Sequence, residues 1–194
     1  MKLHLFDFDG TISNSDSMFE FLKMIYNKSS FYFLIIKSLP IFIKYHLGII
    51  SKDNFKEMFL INFLSKFSKN FLTLNAKIFV KNYEGNLKKS ALKYIKNLKK
   101  DKENEITIVS ASLDIWITPI AKNLGINSIS TVSNFNNNSF SGIKGKNCWG
   151  KEKVSRIQTI YDLKEYSEIY AYGDSSGDFE MLKIANHKMY RFFN

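Results

Sequence analysis

Asp7 and Asp9 stand two residues apart in the run Asp7-Phe8-Asp9-Gly10-Thr11, directly after the short apolar stretch Leu3-His4-Leu5-Phe6. Far along the chain a second acidic group occurs in Gly173-Asp174-Ser175-Ser176-Gly177-Asp178, and between the two lie the hydroxyls of Ser110 and Ser112. Carboxylates brought close together repel unless a cation lies between them. Their hard oxygens suit magnesium, which keeps several waters and pairs with phosphate. No cluster of His or Cys suits zinc. A carboxylate can attack phosphorus to give an aspartyl-phosphate, which water then hydrolyses. The attack needs charge neutralisation on the phosphoryl oxygens, from a lysine, a hydroxyl, backbone amides and the metal.

Such chemistry needs elements that bring these residues together. Residues 3–6, 105–109 and 168–172 read as buried strands, and each ends at one of the polar groups. Helical patterns lie between them: residues 88–100 with Ala91, Leu92, Ile95 and Leu98 inward, a helix stopped by Gly125, residues 151–161 with Val154, Ile157 and Ile160, and residues 178–185. Residues 126–143 suggest short strands around an Asn136-Asn137-Asn138 turn, and residues 189–193 a last strand. The alternation predicts an α/β fold, a Rossmann-like parallel sheet with crossovers. In such sheets ligands bind outside the carboxyl ends of the strands, where all three polar groups would meet.

Residues 16–98 are helical and strongly apolar, too long for an ordinary crossover, and are expected to hold an inserted α-helical cap after the first strand. The expected division is a core of residues 1–14 and 86–194 and a cap of residues 15–85. Phe19, Leu22, Lys23 and Tyr26 follow helical spacing, as do Phe55, Met58, Phe59, Asn62 and Phe63 after an N-cap at Ser51 or Asp53. Residues 31–50 approach the length of a membrane span, but Lys37, Pro40, Lys44 and His46 interrupt them. One or two amphipathic or buried helices are expected there, with contact at a membrane surface as a further option.

The chain has 194 residues, a hydrophobic fraction of 45% and a net charge of +10. It can bury a core, and wholesale disorder is not expected. Nucleic acid, an anionic membrane and phosphorylated substrates compete as explanations of the charge. The lysines are spread along the chain instead of forming a basic arm, which argues against nucleic acid. Cys148 is the only cysteine, so no internal disulfide can form and a reducing, cytoplasmic setting is expected. It reads as a small buried apolar residue. Asp7 and Asp9 interrupt the first apolar stretch, which does not read as a signal peptide.

The Asp7–Thr11 run, Ser110, a lysine at 151 or 153 and the run from Gly173 to Asp178 together resemble the four motifs of the haloacid dehalogenase (HAD) superfamily of phosphatases. The insertion after the first motif is similar to the cap of the phosphoserine-phosphatase-like subfamily, IB. The runs Asn147-Cys148-Trp149-Gly150-Lys151-Glu152-Lys153-Val154 and Ala171-Tyr172-Gly173-Asp174 resemble bacterial members of the phosphatidylglycerophosphatase C type. The resemblance implies Mg2+ as cofactor, Asp7 as nucleophile, and Asp9 as general acid and base whose backbone carbonyl ligates the metal. It implies Thr11 and Ser110 as holders of the phosphoryl oxygens, with Lys153 preferred to Lys151 beside them. Asp174 would be a further metal ligand, and Asp178 a supporting residue that ligates through water or orients the ligands. Ser112 is expected either to cap the following helix or to touch phosphate.

Asp16 falls where the subfamily's ammonium-binding acid would lie, but a cap on the first inserted helix explains it as well. The carboxylate-binding arginine of phosphoserine phosphatases is absent: Leu60 falls at its place, and the only arginines are Arg156 and Arg191, outside the insert. A lipid phosphate such as phosphatidylglycerophosphate is therefore expected ahead of phosphoserine, with a small soluble phosphomonoester as the alternative. The apolar, lysine-bearing cap could lie on a membrane in peripheral contact, or its apolar residues could serve only the cap's own core. A phosphotransferase would differ only in the acceptor. A module that keeps the fold without turnover is disfavoured by intact Asp7, Asp9 and Asp174.

Overall fold

A computed structural model describes residues 1–193. Five strands form one parallel sheet in the order β3-β2-β1-β6-β7: β1 (Lys2–Phe6), β2 (Asn104–Leu113), β3 (Asn127–Thr131), β6 (Glu168–Gly173) and β7 (His187–Tyr190). β1 lies at the centre, so the motif that follows it opens between β2 and β6. A separate antiparallel hairpin joins β4 (Ser133–Asn136) to β5 (Ser139–Ile143) through Asn137 and Asn138, both at positive φ. The expected α/β architecture is present.

Side chains alternate across the strands and feed two apolar layers. Leu3 and Leu5 of β1 and Val109 of β2 join Ile157 of α8 (Lys151–Ile160) and Met181 of α9 (Phe179–Lys183) on one face. Phe6, Ile106 and Ile108 face the other way, onto Ala91 and Ile95 of α6 (Lys89–Leu98) and Trp116 and Ile120 of α7 (Asp114–Leu124). Gly125, in the left-handed conformation, stops α7 as expected.

Between β1 and α6 the chain forms five helices: α1 (Ser17–Ile25), α2 (Lys28–Lys37), α3 (Leu39–His46), α4 (Lys52–Leu64) and α5 (Lys69–Tyr83). Their starts are set by local chemistry. Asp16, Asn27, Ser51 and Ser68 each accept a hydrogen bond from backbone N–H groups of the first turn. Pro40 sits in the first turn of α3, where a missing N–H costs nothing. The insert shares its core with the sheet layer: Phe21 stacks on Trp116 at 4.9 Å and meets Phe79 edge-on at 5.3 Å.

Hydrogen bonds fasten the insert beside this shared core. The outgoing and returning chain segments pair, through Asn14 N–H to the Asn86 carbonyl (2.9 Å) and Lys88 N–H to that of Ile12 (2.8 Å). The β4–β5 hairpin holds it elsewhere: Lys69 N–H donates to the Asn138 carbonyl at 2.8 Å, and Ile143 N–H to Glu57 Oε1 at 3.0 Å.

Several local expectations are corrected. β2 runs on to Leu113, so Ser110 and Ser112 lie within it and not after it. Helix α4 turns Phe59, Leu60, Phe63 and Leu64 inward and leaves Met58 exposed, a face rotated one position from that expected. Lys23 is exposed and paired with Glu20, and Ile160 is exposed. On α8 it is Lys153 and Ile157 that are buried. The last strand begins at His187, ahead of the expected residue 189. Residues 31–50 do form two helices, but they are largely exposed. No helix among the described residues is long and apolar enough to cross a membrane.

Candidate active site

Asp7 continues β1, its N–H donating to the Tyr172 carbonyl of β6 at 2.8 Å. The chain then turns sharply: the N–H groups of Thr11, Ile12 and Ser13 all point to the Phe8 carbonyl, at 3.2, 2.9 and 2.9 Å. Gly10 makes the turn with φ +85°, and a Cβ there would fall 2.3 Å from Asp174 Oδ2. A side chain at 10 would thus strain the backbone and displace an acidic group of the site.

Lys153 reaches in from the first turn of α8 and is 1% exposed. Its ammonium donates to Asp7 Oδ1, Asp178 Oδ1 and the Val109 carbonyl, each at 2.6 Å. Burial alone would strip its proton, but Asp7 and Asp178 on either side outweigh that and hold its pKa raised. Lys151 is exposed on the surface. Asp178 also accepts at Oδ2 from the N–H groups of Asp174 (3.2 Å) and Ser175 (3.1 Å) and from Ser175 Oγ (3.0 Å), so it ties Lys153 to the loop after β6.

Asp9 is held differently. Ser17 N–H, at the start of α1, donates to Oδ1 at 2.7 Å, and Ser112 Oγ donates to Oδ2 at 2.6 Å. Ser112 neither caps α7, whose N-cap is Leu113 without a side-chain bond, nor stands free for phosphate. A β-bulge between Ser110 and Leu113 shifts the pairing with β3, and such bulges re-aim side chains. Ser17 Oγ bonds Ser112 Oγ and accepts from Trp116 Nε1 at 3.0 Å, which completes a buried support for Asp9.

Burial pushes Asp7 up to about 7, Lys153 opposing and Asp178 assisting. Burial likewise pushes Asp9 up to about 6, helped by Asp16 and opposed by the bonds from Ser112 and Ser17. Asp174 is raised by burial and by Asp178. One carboxylate oxygen from each of Asp7, Asp174 and Asp178 lies within 4.8 Å of the other two. Three acidic groups so gathered, with one buried ammonium among them, fit a hard divalent cation. The carboxylate of Asp9 is engaged by Ser17 and Ser112, which leaves its backbone carbonyl as the group the resemblance assigns to the metal.

These raised carboxylates carry a stability prediction. A carboxyl whose folded-state pKa is raised binds more protons folded than unfolded, so its stabilising contribution is full at low pH and is lost as pH rises through about 6 to 7. A cation competing with those protons relieves the loss only where the groups must ionise. The rise in melting temperature on adding Mg2+ is therefore expected to be larger near pH 8 than near pH 5. Equal rises in calorimetry at the two pH values would contradict this.

A cavity of about 160 Å³ opens on Asp7, Asp9, Lys153, Lys56, Ser112 and Trp149, with Asp16, Met18, Ala111, Ser175 and Asp178 completing its wall. Its volume falls below that of sites enclosing a drug-sized ligand and suits a phosphoryl group with a few attached atoms. Asp174 and Ser110 do not line it directly. Each bonds a residue that does, Asp174 to Asp178 and Ser110 to Ser112, while Thr11 Oγ1 donates to Asp174 Oδ1 at 3.4 Å. Asp16 caps α1 through Met18 and Phe19 N–H. Leu60 is wholly buried, and Cys148 is a buried free thiol.

Lys56 lies outside the residues that the sequence pattern singles out. It stands on the inward face of α4, at i−3 and i−4 from Phe59 and Leu60, and donates to the Ala111 carbonyl and to Asn147 Oδ1 (2.9 Å). Burial lowers its pKa to about 8, against the attraction of Asp9 and Asp16. A lysine within an apolar helical face was the available signal.

A phosphoserine phosphatase structure described as a phospho-aspartyl intermediate analogue superposes with a TM-score of 0.66 at 19% identity, over 95% of this chain and 83% of that one. A protein of unknown function from Bordetella pertussis Tohama I superposes more closely, with a TM-score of 0.81 at 21% identity over 95% of this chain and 86% of that one. Among curated proteins, Protein CicA of Caulobacter vibrioides is 30% identical over 191 residues, 97% of this chain and 85% of the relative. The family model for haloacid dehalogenase-like hydrolases matches residues 4–183, and the chain belongs to that family.

Proposed function

We propose that the protein is a magnesium-dependent phosphomonoester hydrolase working through an aspartyl-phosphate on Asp7. The observation that carries the reading is the pairing of two differently held aspartates, Asp7 on Lys153 and Asp9 on Ser17 and Ser112, above one polar cavity. The phosphoserine phosphatase with its phospho-aspartyl analogue supports the reading by likeness of fold.

In the proposed reaction a carboxylate oxygen of Asp7 attacks phosphorus, and the bond from phosphorus to the leaving oxygen breaks. Asp9, carboxyl-protonated, gives its proton to that oxygen. A water molecule then loses a proton to Asp9 and attacks phosphorus. The bond to Asp7 breaks, inorganic phosphate leaves, and both carboxyl groups return to their starting states. A group poised near 6 suits a residue that serves first as acid and then as base. Lys153 opposes the burial that raises Asp7 and faces the phosphoryl charge, with Thr11 and Ser110 assigned to its oxygens. Asp7, Asp174 and the Asp9 carbonyl would hold Mg2+, with Asp178 orienting them. When bound, the ion would neutralise the phosphoryl oxygens.

Ser112 provides a test of the acid–base assignment. Its hydroxyl stabilises ionised Asp9 and so lowers that pKa. Ser112→Ala is expected to move the optimum of kcat/KM to higher pH with the fold intact. An unmoved profile would remove Asp9 from the rate-determining proton transfers.

On this reading residues 1–14 and 86–194 act as the catalytic core and 15–85 as a cap that selects substrate. The cap offers buried Leu60 where phosphoserine phosphatases are expected to carry an arginine for the substrate carboxylate. We therefore place a lipid phosphate such as phosphatidylglycerophosphate ahead of phosphoserine, with the enzyme working on the cytoplasmic side in peripheral contact with the membrane. A phosphomonoester screen with Mg2+, spanning lipid phosphates in vesicles, short-chain analogues and phosphoserine, tests the whole assignment. No turnover of any of them would sink the phosphatase reading, and a preference for phosphoserine would sink the lipid one.

A further inference from the structure

Helices α2 and α3 pack sparingly. Phe31 is the only buried residue within α2, and α3 buries none. Phe33, Ile36, Leu39, Ile43, Leu47 and Ile49 are instead between 49% and 69% exposed. Single exposed apolar side chains are ordinary, but six within 17 residues of two consecutive helices and the turn after them call for an occupant.

The inner side of this unit is fixed. The chain bends at Ser38, whose Oγ donates to the Leu34 carbonyl at 2.8 Å and accepts from Asn62 Nδ2 of α4 at 2.8 Å. Asn62 also bonds the Leu34 carbonyl at 3.3 Å, so the bend is bolted to the helix that carries Lys56. The apolar side chains stand on a supported surface, not on a loose loop.

Charge identifies the occupant. Across α2 and α3 the sequence holds Lys28, Lys37 and Lys44 and no acidic residue, while nearby Lys23 is paired with Glu20. A second copy of the chain would set lysine against lysine. An anionic lipid surface matches both components, since apolar side chains enter the boundary while lysines reach the phosphates. Neither helix can span a membrane, so the unit would lie on it.

We infer that the α2–α3 face seats the protein on an anionic lipid surface. This deepens the peripheral-contact part of the proposed function and rests on it for its purpose, but docking can be measured without turnover. The test is co-sedimentation of the full chain with vesicles of phosphatidylcholine alone or with phosphatidylglycerol, at low and high salt. Binding is expected only with phosphatidylglycerol and should weaken in high salt. The combined variant Phe33→Glu, Ile43→Glu, Leu47→Glu should lose binding by about tenfold or more. Lys37→Glu with Lys44→Glu should do the same without altering the apolar face. Circular dichroism and p-nitrophenyl phosphate turnover should match the parent in both. Absence of parent binding to phosphatidylglycerol vesicles overturns the inference, as does undiminished binding of the variants. A dimer in sedimentation velocity that the apolar variant dissolves, without vesicle binding, would assign the face to a second copy. Vesicle binding without p-nitrophenyl phosphate turnover would leave docking intact and remove the chemistry.

Discussion

Asp7→Asn is expected to lower magnesium-dependent phosphate release by about 10⁴-fold or more, the scale seen when a covalent nucleophile is removed. The amide keeps an oxygen that can accept from Lys153, whose bond to Asp178 remains, so the fold should survive. The amide is a far weaker nucleophile, and the covalent step should vanish. Acid-quenched parent enzyme should yield a phosphorylated peptide containing Asp7, and the variant none. Circular dichroism and melting temperature should stay near those of the parent. Full residual activity in a folded variant would end the nucleophile assignment. Asp9→Asn should also lose turnover, through the proton transfers and not through attack on phosphorus.

Lys153→Met should cost both stability and activity. The ammonium joins Asp7, Asp178 and the Val109 carbonyl, and Lys153 and Asp178 are each 1% exposed. Its removal leaves buried carboxylates facing one another without a counter-charge. Breaking a buried pair in this way costs about 3–5 kcal/mol, a large share of a typical domain's stability. For a chain of this size that corresponds to a fall in melting temperature of about 6–20 °C, readable by calorimetry. Mg2+ should restore part of it, since the ion neutralises the same carboxylates. Turnover should fall about 10²-fold or more even where the protein remains folded, because a preorganised charge facing the phosphoryl group is lost. Lys151→Met is the matched control and should change neither quantity, as that side chain is exposed. A reversal of the two outcomes would move the motif lysine to 151.

The contrast between these lysines also shows how much was legible in the sequence. The strands ending at Asp7 and Asp174 were readable because apolar runs stop abruptly at acidic groups, and their convergence follows from the parallel order around central β1. Lys153 could be preferred because it opens the helical pattern that includes Ile157, and these two are the buried pair of α8. The same spacing marks Lys56 of α4 with Phe59, Leu60 and Phe63, but Phe55 and Met58 are also apolar and favour a face one position around. In both helices a lysine among apolar neighbours marks a charge that the fold has a use for. Ser112 was of another kind. Its bond to Asp9 depends on a bulge in β2, and a two-residue register shift leaves no trace in hydrophobic pattern. The exposure of α2 and α3 was equally hidden, since an apolar helix reads alike whether it is buried or waiting for a partner.

The fastening of the insert bears on the tempo of catalysis. A body joined along one seam can swing open freely, whereas this one is sewn both at the Asn14–Asn86 crossing and at the β4–β5 hairpin. The insert also shares core with α7 through Phe21 on Trp116 and reaches β2 through Lys56, so no single latch would free it. At the hairpin the hydrogen bonds are backed by Phe140 and Ile143, buried in the same apolar core as Phe59 and Phe63 of the insert. Turnover would then be governed by the groups around Asp7 and not by a swing of the insert, and a more viscous solvent would leave it unchanged.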